Sequence, residues 1–338
     1  MITVKKGILE ETGLLLRPLL KGKKALVVSD DNVAPLYSDR LRASLEQAGY
    51  DTFLYVFPHG EENKNLETVG KILEFAGEHN LSRSDFMVSL GGGICGDITG
   101  FAASVYQRGI DFIQVPTTLL AAVDAASGGK TGVNLASGKN QAGTFHLPKA
   151  VFFDPDTLKT LSQSCVNDGK AEIIKHAVLA GGELFELVKN SDIMENIEHV
   201  TELNVSIKDS YVSRDLYDRG ARQLLNFGHT IGHAIEKCSN YTVSHGQAVA
   251  MGMIAETKAF IKLYNENCEI LSIIKSILLK NSIKTDIEFS ADDLYQAALH
   301  DKKTAGSHIN IIAPQGVGRC TLVALPVSRL REYIEAGL

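Results

Sequence analysis

From the start of the chain to about Pro155, short apolar, β-rich runs alternate with amphipathic stretches. The runs fall at residues 25–29, 52–57, 86–90, 112–115 and 151–153. Between them, 33–47 and 66–79 repeat their apolar residues near helical spacing. That alternation predicts βαβ units on a parallel sheet. Residues 1–155 are therefore read as a doubly wound α/β domain of the nucleotide-binding, Rossmann-like kind. After Asp156 the β-rich runs nearly vanish, and 168–189, 192–214, 220–237 and 246–265 read as successive helices. One exception is the pair 309–313 and 320–324, which flank Gly316 and Gly318 and predict a small hairpin. Residues 156–338 thus form a second, mainly α-helical domain, and no internal repeat or low-complexity tract interrupts the chain.

Composition narrows this picture. A length of 338 residues suits two domains of ordinary size. Hydrophobic residues at 44% and charged residues at 22%, with only 8 Pro, remove disordered, collagen-like and coiled-coil alternatives. Lys+Arg 34 against Asp+Glu 40 leaves a net charge of −6, the wrong sign for a general nucleic-acid binder. Basic residues gathered at one place then need a local reason. The five cysteines (Cys95, Cys165, Cys238, Cys268, Cys320) are widely spaced and contain no CxxC, so neither a disulfide framework nor a zinc knuckle is expected. No segment approaches the ~18 uninterrupted apolar residues of a membrane span, and the N-terminus lacks the apolar stretch of a signal peptide. A cytoplasmic protein without membrane or nucleic-acid partners is the expectation.

Three groups of residues carry chemistry. Gly91-Gly92-Gly93-Ile94-Cys95-Gly96-Asp97 follows the apolar run 86–90 and precedes a helix-like segment. It departs from G-x-G-x-x-G, but glycines there let the backbone approach a diphosphate, and the helix N-terminus behind them offers N–H groups. Asp30 and Asn32 follow another strand, and Gly60-Glu61-Glu62-Asn63-Lys64 the next, at loop ends where a bound nucleotide would be met. The second group is His229, His233 and His245, the first two four apart and so on one helix face. This resembles HExxH without its internal Glu, which removes the general base of a metalloprotease. Three His plus a carboxylate from another helix would suit Zn²⁺ with a position open for substrate.

The third group is a set of cations in glycine-rich or apolar surroundings: Arg108, Lys130, Lys139 beside Asn140, Lys175, Lys208 and Arg222. In an acidic chain they point to a small, highly anionic substrate, with Lys as point charge and Arg as planar clamp. Asp124, inside the apolar run 119–126, is the matching acid, because a carboxyl among apolar neighbours must be paired or functional.

The order and spacing of several segments match a known family. They are Gly91 to Gly100, Tyr106-Gln107-Arg108-Gly109, Gln114-Val115-Pro116-Thr117-Thr118-Leu119-Leu120, Gly128-Gly129-Lys130-Thr131, Gly138-Lys139-Asn140, Ala171-Glu172-Ile173-Ile174-Lys175, Leu225-Asn226-Phe227-Gly228-His229-Thr230-Ile231-Gly232-His233-Ala234 and His245-Gly246. Over essentially its whole length the chain resembles the 3-dehydroquinate synthase family of the sugar phosphate cyclase superfamily. The resemblance implies an NAD⁺- and metal-dependent conversion of 3-deoxy-D-arabino-heptulosonate 7-phosphate to 3-dehydroquinate and phosphate, a lyase step of the shikimate route to aromatic amino acids. It implies Glu172, His229 and His245 as ligands of Zn²⁺, a donor set that also suits Co²⁺ or Fe²⁺, and it moves His233 to the substrate. Lys130, Asn140, Lys175, Lys208, Arg222, Asn226 and one of Lys302 or Lys303 would hold carboxylate, phosphate and hydroxyls, and Asp124 would bond substrate and a catalytic water. Arg108 would reach the phosphate site of a neighbouring subunit, in a homodimer. Asp30, Asn32, Glu61, Lys64, Gly92, Gly93, Asp97, Thr117, Thr118, Lys139, Thr160 and Leu161 match the NAD-contacting positions.

Three departures from the family pattern stand out. Ala122-Val123-Asp124-Ala125-Ala126-Ser127 replaces a run that usually carries Gln before the Val and Ser-Ser-Val after the Asp. Asp218 stands where Glu is usual, and Gln141-Ala142-Gly143 follows Asn140 where an apolar pair is common before the Gly. Two alternatives accompany the reading. One is a cyclase acting on a carboxylate-free sugar phosphate, of the 2-deoxy-scyllo-inosose or epi-valiolone type, against which Arg222 and Asn226 argue. The other is a metal-dependent NAD alcohol dehydrogenase, which would need net redox turnover and fewer cations.

Overall fold

The computed structural model describes residues 2–266, 269–302 and 307–338, with backbone alone over 300–302. The chain divides into two compact units, Met1–Leu161 and Ser162–Leu338. The turn Pro155–Thr160 stays with the first unit, six residues beyond the boundary expected from sequence.

The first unit runs β1 (Ile2–Val4), α1 (Thr12–Leu16), β2 (Lys24–Asp30), α2 (Ala34–Gln47), β3 (Asp51–Phe57), α3 (Leu66–Glu78), β4 (Phe86–Gly91), α4 (Gly93–Val105) and β5 (Asp111–Pro116). It continues with β6 (Lys130–Leu135), β7 (Gly138–Phe145) and β8 (Ala150–Phe153). Six strands form one parallel sheet in the order β1-β8-β5-β4-β2-β3, while β6 and β7 make a separate antiparallel hairpin. The apolar runs are continuous because both faces of this sheet are covered. Ala25 and Val27 join Tyr37, Leu41 and Leu45 of α2 in one core. Leu26 and Val28 join Val69 and Ile72 of α3 and Ile98 of α4 in the other.

Chain direction across the sheet reverses between β2 and β4, so the loops leaving their carboxyl ends open a ligand-binding type of crevice. These loops carry Asp30 and Gly91 to Gly93. Helix α4 lies close on the sheet because glycine occurs where it touches: a Cβ at Gly96 would sit 2.8 Å from Gln114 Oε1, and one at Gly100 3.0 Å from Phe112 Cζ.

Asp85 locks the entry to β4. Its carboxylate accepts the backbone N–H groups of Lys23 (3.0 Å), Lys24 (2.9 Å) and Ser82 (2.7 Å) and the Ser82 hydroxyl (2.7 Å). Burial raises its pKa, but these donors outweigh burial and leave it below 3.8. Asp85→Ala should cost about 2 kcal/mol at neutral pH, since it removes four hydrogen bonds to a buried carboxylate. The depressed pKa fixes the sign: the advantage over the variant is full above pH 3.8 and disappears as pH falls through the lower folded value. Urea unfolding of both proteins at neutral and acid pH checks this, and a pH-independent difference would refute it.

The second unit comprises α5 (Gln163–Ala180), α6 (Gly182–Asn190), α7 (Ile197–Arg214), α8 (His229–Cys238), α9 (His245–Tyr264), α10 (Ile270–Lys280), α11 (Ala291–Lys302), the antiparallel hairpin β9 (His308–Gly316) and β10 (Arg319–Pro326), and α12 (Leu330–Gly337). Two helices expected as single pieces are broken. The 168–189 stretch stops at Ala180 because Gly181 and Gly182 take φ of 66° and 64°. The 220–237 stretch becomes a 3-10 turn, Ala221–Asn226, and then α8, separated at Gly228 with φ 80°. A Cβ at Gly252 of α9 would overlap the Gly228 carbonyl oxygen, so two glycines permit this crossing. Ile231 and Ile235 of α8, Ala255 of α9, Leu294 of α11 and Tyr333 and Ile334 of α12 share one core. Among the described residues no helix is long and apolar enough to cross a membrane.

Candidate active site

In the first unit, the loops at the carboxyl ends of β2, β3 and β4 converge through side chains. Asp30 Oδ1 accepts the N–H groups of Asn32 and Val33, each at 3.0 Å, which fixes the loop after β2. Lys64, only 6% exposed, donates Nζ to Asp97 Oδ2 and to Asn140 Oδ1, both at 2.6 Å. Lys139 lies 3.7 Å from Glu61 Oε1, which also accepts from Asn134 Nδ2 at 2.7 Å. Asn134 in turn accepts the Asn140 N–H at 2.9 Å. The structure thus gathers Glu61, Lys64, Asp97, Lys139 and Asn140 into one network, and adds Asn134, which the sequence reading missed because β6 was not recognised as a strand. Burial pushes the Asp97 carboxyl up, and Lys64 draws it back without cancelling the rise.

The glycine turn fits a dinucleotide on two observations. Cβ atoms at Gly92 and Gly93 would fill the cradle, 3.3 Å from Thr118 Cγ2 and 3.3 Å from the Ala125 Cβ, with the first turn of α4 behind. The Thr117 hydroxyl oxygen is buried without a hydrogen-bond partner among the described residues. Thr160 stands apart from this network and bonds Tyr37 Oη at 2.7 Å, and Leu161 closes the turn beside it through its N–H to the Leu158 carbonyl.

Asp124 lies in a π-helical turn, Ala121–Ala125. Such turns recur at functional sites. The neighbours Ala122 and Ala126 are buried methyls where the family pattern carries polar groups. Lys130 is exposed. Arg108 is also exposed and follows Gln107 in the left-handed region, at φ 68° and 51°, a strained pair for two non-glycine residues.

In the second unit, Glu172 of α5, His229 of α8 and His245 of α9 bring one ligand atom each within 4.8 Å of the others. Glu172 Oε1 lies 3.8 Å from His229 Nε2 and 3.5 Å from His245 Nε2. A tetrahedron of ~2.1 Å metal–ligand bonds has edges of about 3.4 Å, so the spacing suits a divalent cation. Glu172 is fully buried and, among the described residues, Oε1 has no hydrogen-bond partner, while Oε2 makes an ion pair with Lys175, itself 1% exposed. Burial raises the Glu172 pKa, but Lys175 and the two imidazoles hold it well below the ordinary value. Burial and Lys175 push the His229 pKa far down, leaving a neutral imidazole suited to ligation. For His245, burial is overcome by Glu172 and Glu236, which hold the ring's proton up to about 10.

Both imidazoles are oriented from behind. His229 Nδ1 faces the Phe227 carbonyl oxygen at 3.2 Å, and His245 Nδ1 faces Glu236 Oε2 at 3.3 Å. With the ring neutral, an Nδ1–H donated there leaves Nε2 turned to Glu172, and at His245 this requires release of the second proton that Glu172 and Glu236 hold. Glu236 was not singled out from sequence, although it sits seven residues after His229 and three after His233 on the same helix face. His233 belongs to a different grouping, with Glu236 and His245, its ring 5.3 Å from that of His229. The i, i+4 pairing expected to focus His229 and His233 on one centre is replaced by a pairing of His229 with His245. Lys208 and Arg222 are buried, at 5% and 4% exposure, and Arg222 Nη1 donates to the Leu216 carbonyl at 2.8 Å. Asn226 is exposed. Asp218 takes φ 57°, a left-handed conformation that Asp tolerates. Lys303 lies outside the described residues, as does the side chain of Lys302.

Solved structures share this fold. That of 2-deoxy-scyllo-inosose synthase complexed with carbaglucose-6-phosphate, NAD⁺ and Co²⁺ matches with a TM-score of 0.90 and 27% identity, covering 100% of this chain and 96% of the other. The 2-epi-5-epi-valiolone synthase of Streptomyces hygroscopicus subsp. jinggangensis 5008, with NAD⁺ and Zn²⁺ bound, matches at 0.88 and 26%, covering 100% and 95%. An iron-containing alcohol dehydrogenase shares the fold alone, at 0.64 and 17%, covering 100% and 97%. Fold and clustered residues together define an enzyme of the sugar phosphate cyclase class. Within that class, the 3-dehydroquinate synthase N-terminal model matches residues 54–168 and the C-terminal model residues 169–304. The 3-dehydroquinate synthase of Streptococcus suis (strain 05ZYH33) is 39% identical over 341 residues, spanning 99% of this chain and 96% of that protein. The chain belongs to the 3-dehydroquinate synthase family.

Proposed function

We propose that this chain converts 3-deoxy-D-arabino-heptulosonate 7-phosphate to 3-dehydroquinate and inorganic phosphate, as a cytoplasmic homodimer. The observation that carries the reading is the second unit's combination of a Glu172–His229–His245 donor set with three buried cations, Lys175, Lys208 and Arg222. Lys175 already pairs with Glu172, and a substrate bearing both phosphate and carboxylate suits a site that holds further buried cations, whereas a simple alcohol does not.

When bound, NAD⁺ would accept and return a hydride and a divalent cation would polarise a substrate hydroxyl. Glu172, His229 and His245 would hold the cation, with Glu236 fixing the His245 ring. Gly92 and Gly93 would admit the dinucleotide diphosphate, and Asp30, Asn32, Glu61, Lys64, Asp97, Thr117, Thr118, Lys139, Thr160 and Leu161 would contact the cofactor. Arg222 and Asn226 would orient the carboxylate. Lys130, Asn140, Lys175, Lys208 and one of Lys302 or Lys303 would hold phosphate and hydroxyls, with Arg108 contributed across the homodimer. Asp124 would hold a water for proton movement, and His233 a substrate hydroxyl. Fixing the open-chain product of phosphate loss in a folded conformation favours its intramolecular aldol closure.

Phosphate release is measured from this substrate with catalytic NAD⁺, before and after chelation, while absorbance reports NADH. Chelator-sensitive phosphate release without net NADH is the expected result. Release from carboxylate-free sugar phosphates alone would favour the other cyclases, and net NADH from simple alcohols would favour a dehydrogenase.

A further inference from the structure

The two histidines of the donor set share an unusual placement: His229 is the first residue of α8 and His245 the first residue of α9. A helix N-terminus carries partial positive charge and unsatisfied N–H groups, an environment that favours anions and disfavours a cation. In both helices a carboxylate from another helix closes that end. Glu256 of α9, fully buried, accepts the N–H groups of Gly228 (3.0 Å, Oε2), Thr230 (3.0 Å, Oε1) and Ile231 (3.2 Å, Oε1) at the start of α8. Asp168 of α5, half-buried, accepts the Ser244 hydroxyl at 2.6 Å and the Gln247 N–H at 3.2 Å at the start of α9. Gly246 is required for that approach, since a Cβ there would overlap the Asp168 backbone.

We propose that Glu256 and Asp168 are positioning residues of the metal site. Each cancels the positive end of the helix whose first residue is a ligand, and each fixes the backbone from which that ligand projects. Neither residue touches a reacting group; they act through His229 and His245. The inference rests on the metal-site reading above and extends it. An uncharged hydrogen-bonding cap would have served for stability alone, so the choice of two carboxylates behind two cation-binding histidines is what the proposal explains.

The test is divalent metal affinity, measured by competition of apo-protein and a chromophoric chelator for Zn²⁺, beside the visible spectrum of the Co²⁺-loaded protein. Glu256→Gln and Asp168→Asn keep shape and an acceptor oxygen while removing charge. Each should weaken Zn²⁺ binding about tenfold or more, in the range found for groups behind metal ligands. Glu256→Asp, which keeps the charge, should recover part of the loss. The melting temperature should rise less on metal addition in the neutral variants than in the parent. A purely structural cap would lower the melting temperatures of apo and metal-loaded protein equally, with Zn²⁺ affinity and the Co²⁺ spectrum unchanged, and that result would overturn the proposal. If Glu256→Gln does not fold, Asp168→Asn alone decides, because it is less buried. If the parent protein binds no stoichiometric Zn²⁺, the metal-site reading itself fails, a result distinct from equal affinity in parent and variants.

Discussion

His245→Ala should purify without its divalent cation and without phosphate-releasing activity, whereas His233→Ala should keep the cation and lose activity. The two rings lie 6.2 Å apart and both approach Glu236, so their proximity alone does not separate them. Donor geometry does. His245 turns Nε2 to the buried Glu172 Oε1 at 3.5 Å and Nδ1 to Glu236, as a ligand oriented from behind would. His233 is exposed and falls outside the donor set of Glu172, His229 and His245. Removing one of the three proposed protein ligands, with Lewis-acid stabilisation worth several kcal/mol, should lower kcat/KM by at least about 10³-fold. Removing His233, the group that would hold a substrate hydroxyl, should cost about 10²-fold or more with metal content unchanged. Metal analysis of the purified variants beside steady-state rates decides the matter. Full metal occupancy in His245→Ala would remove it from the ligand set.

How much of this was legible beforehand depends on the kind of interaction. The strands at the sheet centre were readable because two-sided burial leaves few polar positions in them, only Ser29 in the buried span of β2 and Ser89 in β4. Strand β1 was not, being three residues long, and neither was the hairpin of β6 and β7, whose second strand is largely exposed and carries Lys139 and Asn140. Those residues were visible only as cations and amides near glycines. Helix breaks at Gly181 and Gly228 escaped because glycine inside an apolar period looks like a tolerated interruption until its φ is known. Periodicity paired His229 with His233, and only the crossing of α8 and α9 near Gly228 and Gly252 pairs His229 with His245. Glu236 and Glu256 were invisible for a related reason: a carboxylate acquires a role from the ring or N–H groups that another segment brings to it. Nothing in the residues around position 256 announces that three N–H groups of α8 will face it.

The buried pair Lys175 and Glu172 yields the second large effect, and its sign is less obvious. Lys175→Met should abolish turnover yet bind the divalent cation more tightly than the parent. Lys175 and Glu172 are three residues apart on α5 and are exposed by 1% and 0%. In apo-protein the ammonium neutralises a carboxylate that water cannot reach. Deleting one partner of such a pair costs roughly 3–5 kcal/mol, because the survivor is left uncompensated. A divalent cation bound by the same carboxylate repays that cost, and it no longer faces the ammonium. Each 1.4 kcal/mol of the difference corresponds to tenfold in affinity, so Zn²⁺ binding should strengthen by about tenfold or more. By the same linkage, the metal-induced rise in melting temperature should be larger in Lys175→Met than in the parent. Phosphate release should nevertheless collapse, since the anionic substrate loses a buried positive charge. Chelator competition and thermal unfolding with and without Zn²⁺ measure both halves. Unchanged or weaker metal affinity in a folded variant would show that Lys175 does not set the charge balance of Glu172.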